Sequence, residues 1–138
     1  MIFFTDENIS TNAAHMLDIF DRENQIRACL DYFRAGISDT EWMRGIASWN
    51  ELCSVIALCG DGRIIKNEVE KQVLKECGLT FVLLAPGWLH LQWDTYAWKI
   101  IRIWPEIVKN IKEARYPMLF DVPVNNLKIR AIGRINTL

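Results

Sequence analysis

The chain has 138 residues, is 51% hydrophobic and carries a formal net charge of −1. That length suits one domain around a shared core, and the near-neutral balance excludes a polycation that binds nucleic acid by bulk charge alone. The four cysteines, Cys29, Cys53, Cys59 and Cys77, form no C-x-x-C pair and have only His15 and His90 for company, which argues against zinc; they read as small apolar residues in a reducing compartment.

Charge is unevenly spread. Residues 1–93 hold 8 Lys+Arg against 13 Asp+Glu, a balance of −5, and residues 94–138 hold 8 against 4, a balance of +4. An acidic site beside a basic flank suits a metal-dependent enzyme acting on a phosphate polymer. Met1-Ile2-Phe3-Phe4 has no basic flank and soon meets Asp6, so no signal peptide is expected. No apolar run approaches the roughly 18–20 residues of a membrane span. The expectation is a cytoplasmic protein with no membrane partner.

In chain order, Ile2 to Thr5 reads as a first buried strand. A helix follows from Ser10 to Phe20, with Ala13, Met16, Leu17 and Phe20 on one stripe. Ile26 to Leu30 is a short second strand, broken at Arg34-Ala35-Gly36. Ser38-Asp39-Thr40-Glu41 fits a capping box, and Trp42, Ile46 and Trp49 carry a helix from it. Cys53 to Cys59 is continuously apolar, as a central parallel strand should be, and it ends at Gly60-Asp61-Gly62. A helix opened by Asn67 has the stripe Val69, Val73 and Cys77 and stops at Gly78. Thr80 to Ala85 is the fourth strand, ended by Pro86-Gly87. A Trp-rich link, Trp88 to Trp93, precedes a helix with the stripe Ala97, Ile100, Ile101 and Trp104. Pro105 then divides it from another helix that runs to about Arg115. Trp42, Trp98 and Trp104 fall on apolar stripes and read as core, while Trp88 and Trp93 stay open as base-stacking candidates. Met118–Val124, Asn125-Asn126 and Leu127–Ile132 read as a β-hairpin.

Strands alternating with helices predict an α/β fold: three α/β/α layers around a mostly parallel four-stranded sheet. Residues 1–115 form the α/β body and 116–138 a hairpin extension of the same domain. In a parallel sheet the ends of the first three strands lie on one edge. Asp6 follows the first strand, Asp39 opens the helix after the second, and Asp61 follows the third. Open α/β sheets place their sites at this edge. Three carboxylates so close are costly without a cation, and Mg²⁺ or Mn²⁺, which take oxygen ligands, would supply it. The metal and catalytic candidates are therefore Asp6, Asp39 and Asp61, set up for attack of an activated water on a phosphodiester. Glu7, Asn8, Glu41 and Glu68 are accessory candidates, with Thr5 beside them; Arg63 and Lys66 are candidate phosphate donors. Each has a plainer role available: a helix cap or first-turn acid for Asp6, Asp39, Glu41 and Glu68, a turn for Asp61, a solvated loop for Arg63 and Lys66.

Phe4-Thr5-Asp6-Glu7-Asn8, Ser38-Asp39-Thr40-Glu41-Trp42 and Cys59-Gly60-Asp61-Gly62-Arg63-Ile64-Ile65, with Glu68 downstream, together resemble the compact PIN-like domains related to VapC-type toxins. Phe81 to Trp88, the Trp104-Pro105-Glu106-Ile107 join and the basic terminal hairpin extend that resemblance over nearly the whole chain. It implies a PIN-like fold, Mg²⁺ or Mn²⁺ at Asp6, Asp39 and Asp61, and cleavage of single-stranded RNA by a metal-dependent endoribonuclease. It also implies a toxin role, a cognate antitoxin protein as partner, and frequent homodimerisation. The larger PIN pattern has a Glu on a mid-chain helix and a fourth acid. Here Asp39 or Glu41 must take the former place, and the latter has no clear occupant.

Two other classes compete. A phospho-receiver domain shares acids after the first and third strands, but this fourth strand ends Ala85-Pro86 without the needed Ser or Thr, and Lys99 lies in a helix pattern. A PIN-like scaffold without catalysis, acting as a binding module, would keep the acids for structure. Sequence leaves RNA and DNA both open as substrate.

Overall fold

The computed structural model describes residues 1–138, the side chain of Ile64 apart. Six strands form one sheet: β1 (Ile2–Thr5), β2 (Gln25–Ala28), β3 (Val55–Cys59), β4 (Thr80–Leu84), β5 (Met118–Val122) and β6 (Arg130–Arg134). The helices are α1 (Thr11–Phe20), α2 (Cys29–Tyr32), α3 (Asp39–Ala47), α4 (Glu68–Cys77) and α5 (Trp93–Glu113). The strand order is β2-β1-β3-β4-β5-β6. All pairings from β2 through β5 are parallel, and β6 alone is antiparallel, on β5. The α/β class agrees with the sequence reading; the strand count differs, because the first hairpin strand joins the parallel sheet as its fifth member.

Alternation along the central strands builds two cores. Phe3, Ile56, Leu58, Val82 and Leu84 face one side, where α1 and α5 pack with Leu17, Ile100, Ile103, Trp104 and Ile107. Phe4, Ala57, Cys59, Phe81 and Leu83 face the other, under Trp42, Met43 and Ile46 of α3 and Val73 and Leu74 of α4. A sheet covered on both faces needs strands apolar at every position, and β1 and β3 are buried throughout. Each such side chain contributes about 1.5–3 kcal/mol on burial.

Local signals set several boundaries. The Ser38 hydroxyl accepts the Glu41 N–H at 3.2 Å and donates to Glu41 Oε1 at 3.0 Å, so α3 starts where the capping box puts it. Asn67 accepts the N–H groups of Val69 and Glu70. Gly78, at φ +63°, closes α4 in the left-handed conformation that favours glycine.

Other expectations need correction. The second strand ends at Ala28, paired to Thr5 at the end of β1; Cys29 has no strand left to pair with, and Phe33 N–H closes a helical turn onto Cys29 C=O at 2.8 Å. Pro105 does not divide two helices: α5 runs through it, because the buried stripe Ile100, Ile103, Trp104, Ile107 and Ile111 is continuous and its packing offsets the ~3 kcal/mol cost of an internal proline. Trp98 lies off that stripe and is 53% exposed rather than core. Cys53 is exposed in the loop before β3. Trp88 is buried, its indole N–H bonded to Val122 C=O. The hairpin turns through residues 123–129 rather than tightly at Asn125-Asn126, since Lys99 holds Val124 C=O at 3.2 Å and Asn126 accepts Lys128 N–H at 2.9 Å. No helix among the described residues is long and apolar enough to cross a membrane.

Candidate functional site

The strand order reverses at β1. The chain leaves β1 toward β2 on one side, while β3 and β4 lie on the other. The helix after β1 covers one face and the helix after β3 the opposite face, which leaves a crevice at the carboxyl ends of these neighbours. Asp6 stands in that crevice.

Asp6 is 2% exposed. Its Oδ1 accepts the N–H groups of Asn8 at 3.1 Å and Gly60 at 3.3 Å. Its Oδ2 accepts the Cys59 thiol at 2.6 Å and the Asn8 amide at 3.3 Å. A Cβ on Gly60 would come within 3.1 Å of Asn8 Cβ, so glycine lets the end of β3 approach the Asp6–Asn8 turn. Burial nevertheless dominates and raises the Asp6 carboxyl above its ordinary value; the Cys59, Gly60 and Asn8 hydrogen bonds oppose this, and the charge of Asp39 adds to it. Burial and the Asp6 charge push the Cys59 thiol far up, so it remains a donor. The Cys29 thiol is pushed up to about 11, by burial first and then by Glu7, Asp6 and Asp39. The three acids Asp6, Glu7 and Asp39 thus set one negative field over the two thiols.

Asp39 opens α3. Its Oδ1 accepts the Trp42 indole N–H at 2.8 Å. Trp42 is itself clamped against Phe4, 4.9 Å between ring centroids, and stacked on Phe81 at 6.4 Å. The core thus fixes the acid through one buried indole. Facing Asp39 from α4 is Glu70, within hydrogen-bond reach of it; burial first, then the Asp39 charge and hydrogen bond, raise the Glu70 carboxyl. Glu70, rather than the accessory candidate Glu68, is therefore the α4 acid that meets Asp39. One helical face separates them: Glu68 is turned to Lys71, at 3.2 Å, with its side chain 86% exposed. The signal available was the spacing from the Asn67 cap, which puts the third helical residue back toward the preceding strand end.

Asp61 is differently placed. Its Oδ1 accepts the Arg63 backbone N–H at 3.0 Å, and the Arg63 guanidinium reaches Oδ2 at 2.6 Å. These bonds hold its carboxyl below the usual range. A cleft of ≈ 310 Å³ opens beside it, lined by Arg63, Ile65, Lys66, Pro86 and Leu89 among others. Glu7 accepts the Gly36 N–H at 2.8 Å and so ties down the loop that leads into α3. Thr5 donates weakly to Arg27 C=O at 3.5 Å. Glu41 pairs with Arg34 at 3.2 Å, away from Asp39.

A family model described as a PIN like domain matches residues 1–86. The chain belongs to the PIN-like domain family. Its members have a nuclease-type fold, are generally nucleases and typically use divalent metals. No curated protein and no solved structure matches the chain. The matched stretch of this PIN-like domain contains every acid of the crevice.

In kind, the crevice donors suit a hard divalent cation: they are carboxylate oxygens, and Asp6 and Glu70 are held above their ordinary values by burial and by Asp39, as expected of acids crowded without a counter-charge. In position they are not drawn around one point; among the described residues no three His, Cys, Asp or Glu side chains form a ready metal-binding group.

Proposed function

We propose that this PIN-like domain is a Mg²⁺- or Mn²⁺-dependent ribonuclease, with Asp6, Asp39 and Glu70 as the acids that hold the cation and Asp61 as a fourth, peripheral acid. The observation that carries the reading is the approach of Glu70 to Asp39, whose charge also reaches buried Asp6 at the sheet's switch point. The chemistry that Mg²⁺ or Mn²⁺ supplies when bound is activation of a water and offset of charge on the phosphate.

The chain's own groups prepare the rest. Asn8 and Gly60 orient Asp6 with backbone N–H groups. Trp42 fixes Asp39. Glu70 keeps its proton to a higher pH than an ordinary glutamate and releases it when positive charge arrives. Arg63 carries a planar fork of donors that can be shared between Asp61 and a phosphate oxygen, and Lys66 lines the same cleft. The proposal extends to a toxin neutralised by a neighbouring antitoxin protein, and to homodimerisation; what supports this is the sequence resemblance. Incubation of a labelled single-stranded RNA with the parent and with Asp6→Asn, in Mn²⁺ and in EDTA, tests the enzyme. Cleavage only by the parent in Mn²⁺ is the expected result; equal cleavage by both proteins ends the reading.

A specific observation favours a second reading, a scaffold without catalysis: Arg63 already satisfies Asp61, and no three-acid group is set for a metal among the described residues. In that case Asp6→Asn leaves any growth arrest on expression intact.

A further inference from the structure

The C-terminal part of the chain, residues 87–138, lies outside the stretch that matches the family and carries 8 basic against 4 acidic residues. It also contains a small cleft, ≈ 140 Å³, between α5 and the β5–β6 loop, lined by Trp98, Lys99, Arg102, Asn125, Asn126 and Leu127 among others. Of the six indoles, Trp42, Trp88 and Trp104 are 1–2% exposed, whereas Trp98 shows 53% of its surface and Trp93 49%; Leu127 shows 42%. The wall is pre-organised. Lys99 lies 5.7 Å from the Trp98 ring centroid and donates to Val124 C=O at 3.2 Å and Asn125 Oδ1 at 3.4 Å. A Cβ on Gly87 would meet Val124 at 2.8 Å, so the loop is pressed against the exit of β4. Arg102, one helical turn from Trp98, forms no ion pair among the described residues.

The cleft adjoins the acid crevice through the amino end of α5. Trp93 stacks on Tyr96, with centroids 6.1 Å apart and planes at 17°. Trp88, which lines the cleft, packs edge-on against Tyr96 with centroids 5.4 Å apart, and the Tyr96 phenol is raised by burial and then by the charge of Asp6.

We propose that this cleft is a nucleotide subsite, in which one unpaired base of a single-stranded nucleic acid stacks on Trp98 while Arg102 meets its phosphate. The identity of that strand as substrate rests on the ribonuclease reading; its binding does not. The cleft also has a base preference. The Asn125 and Asn126 carbonyl oxygens are engaged by Lys99 and by the Lys128 N–H, so the wall offers donors. Donors favour the bases that carry a carbonyl oxygen, uracil, guanine and cytosine, over adenine, which has none.

The test is fluorescence anisotropy of labelled oligo(U), oligo(dT) and oligo(A) 12-mers and a 12-base-pair RNA duplex with the full chain in EDTA, where no metal-dependent cleavage runs. Oligo(U) is expected to bind more tightly than oligo(A) and the duplex, and the oligo(dT) arm separates RNA from DNA. Trp98→Ala should weaken oligo(U) by about 5- to 150-fold, the range for loss of one base–aromatic stack, and Trp98→Phe should restore most of it. Arg102→Gln should reduce the salt slope of log K by about 0.7. Parent-like binding by both Trp98→Ala and Arg102→Gln, with unchanged melting temperatures, overturns the subsite. Weakened binding by Trp98→Ala without RNA cleavage by the parent in Mn²⁺ would sink the enzyme and keep the subsite; cleavage with parent-like binding by both variants would do the reverse.

Discussion

Asp6 leaves β1 one residue after the strand ends, and Asp61 leaves β3 two residues after. The two strands are neighbours, so the acids share an edge. Their environments differ in sign. Asp6 is buried among donors, and burial still lifts its carboxyl; Asp61 is bonded by its own Arg63, which lowers its carboxyl. Glu70 belongs with Asp6, raised by burial and by Asp39. The crevice therefore holds unspent negative charge on the α3–α4 side, and the turn after β3 holds a local ion pair. Position along a sheet edge selects candidate acids; depth and the nearest cation decide which of them still want a metal.

The largest expected effect falls on the Asp6 side. Asp6→Asn should lower metal-dependent RNA cleavage by about a hundredfold or more, since even the outer partners of metal ligands cost 10- to 100-fold. Melting with and without millimolar Mn²⁺ should show stabilisation of the parent and none of Asp6→Asn. An equal shift in both would erase the distinction between Asp6 and Asp61. Next comes Trp42, which links the core to Asp39. Trp42→Ala should cost about 3–5 kcal/mol in urea unfolding, as a fully buried aromatic truncation. Trp42→Phe, which keeps most of the packing but drops the bond to Asp39, should weaken Mn²⁺ binding by about 10- to 100-fold at smaller stability loss.

A finer contrast is one of sign. Glu70→Gln keeps the shape and removes charge beside Asp39, so it should raise the melting temperature of the protein in EDTA. Asp61→Asn removes the partner of Arg63 and should lower the melting temperature slightly, since solvent screens a pair this exposed. Shifts in the same direction would show that the two acids are alike after all. The smallest effect is the pH dependence in EDTA. Asp6 and Glu70 are raised from ordinary values of 3.8 and 4.5. Their contribution to stability is full below those values and is lost as pH rises through the higher folded ones. Asp61 and Glu41, lowered by Arg63 and Arg34, contribute above their ordinary values and lose that contribution as pH falls through the lower folded ones. Melting followed across pH 3–8 should therefore decline less on the neutral side for Glu70→Gln than for the parent, with Mn²⁺ affinity rising over that same side as the two carboxyls lose protons.

Periodicity made most of the fold legible. Continuous apolar runs marked the central strands, and Ser38, Asn67 and Gly78 marked helix ends whose hydrogen bonds are local. Errors arose where a distant partner overruled a local preference. Pro105 reads as a break because its cost is local, while the stripe that carries α5 through it is repaid against the sheet. Trp98 reads as core by spacing, yet the helix is rotated so that Ile100, Ile103 and Trp104 take the sheet. The second strand stops early only because β1, its partner, stops at Thr5.

The same division applies to the site. Residue order alone puts Asp6 after β1 and Asp61 after β3 on one sheet edge, because parallel neighbours end on the same side whatever their side chains do. The Asp61–Arg63 pair is local to its turn, but packing alone turns Glu70 to Asp39, leaves Glu68 in solvent and buries Asp6. Those outcomes depend on helix rotation and depth, which packing between distant segments sets and no local pattern records.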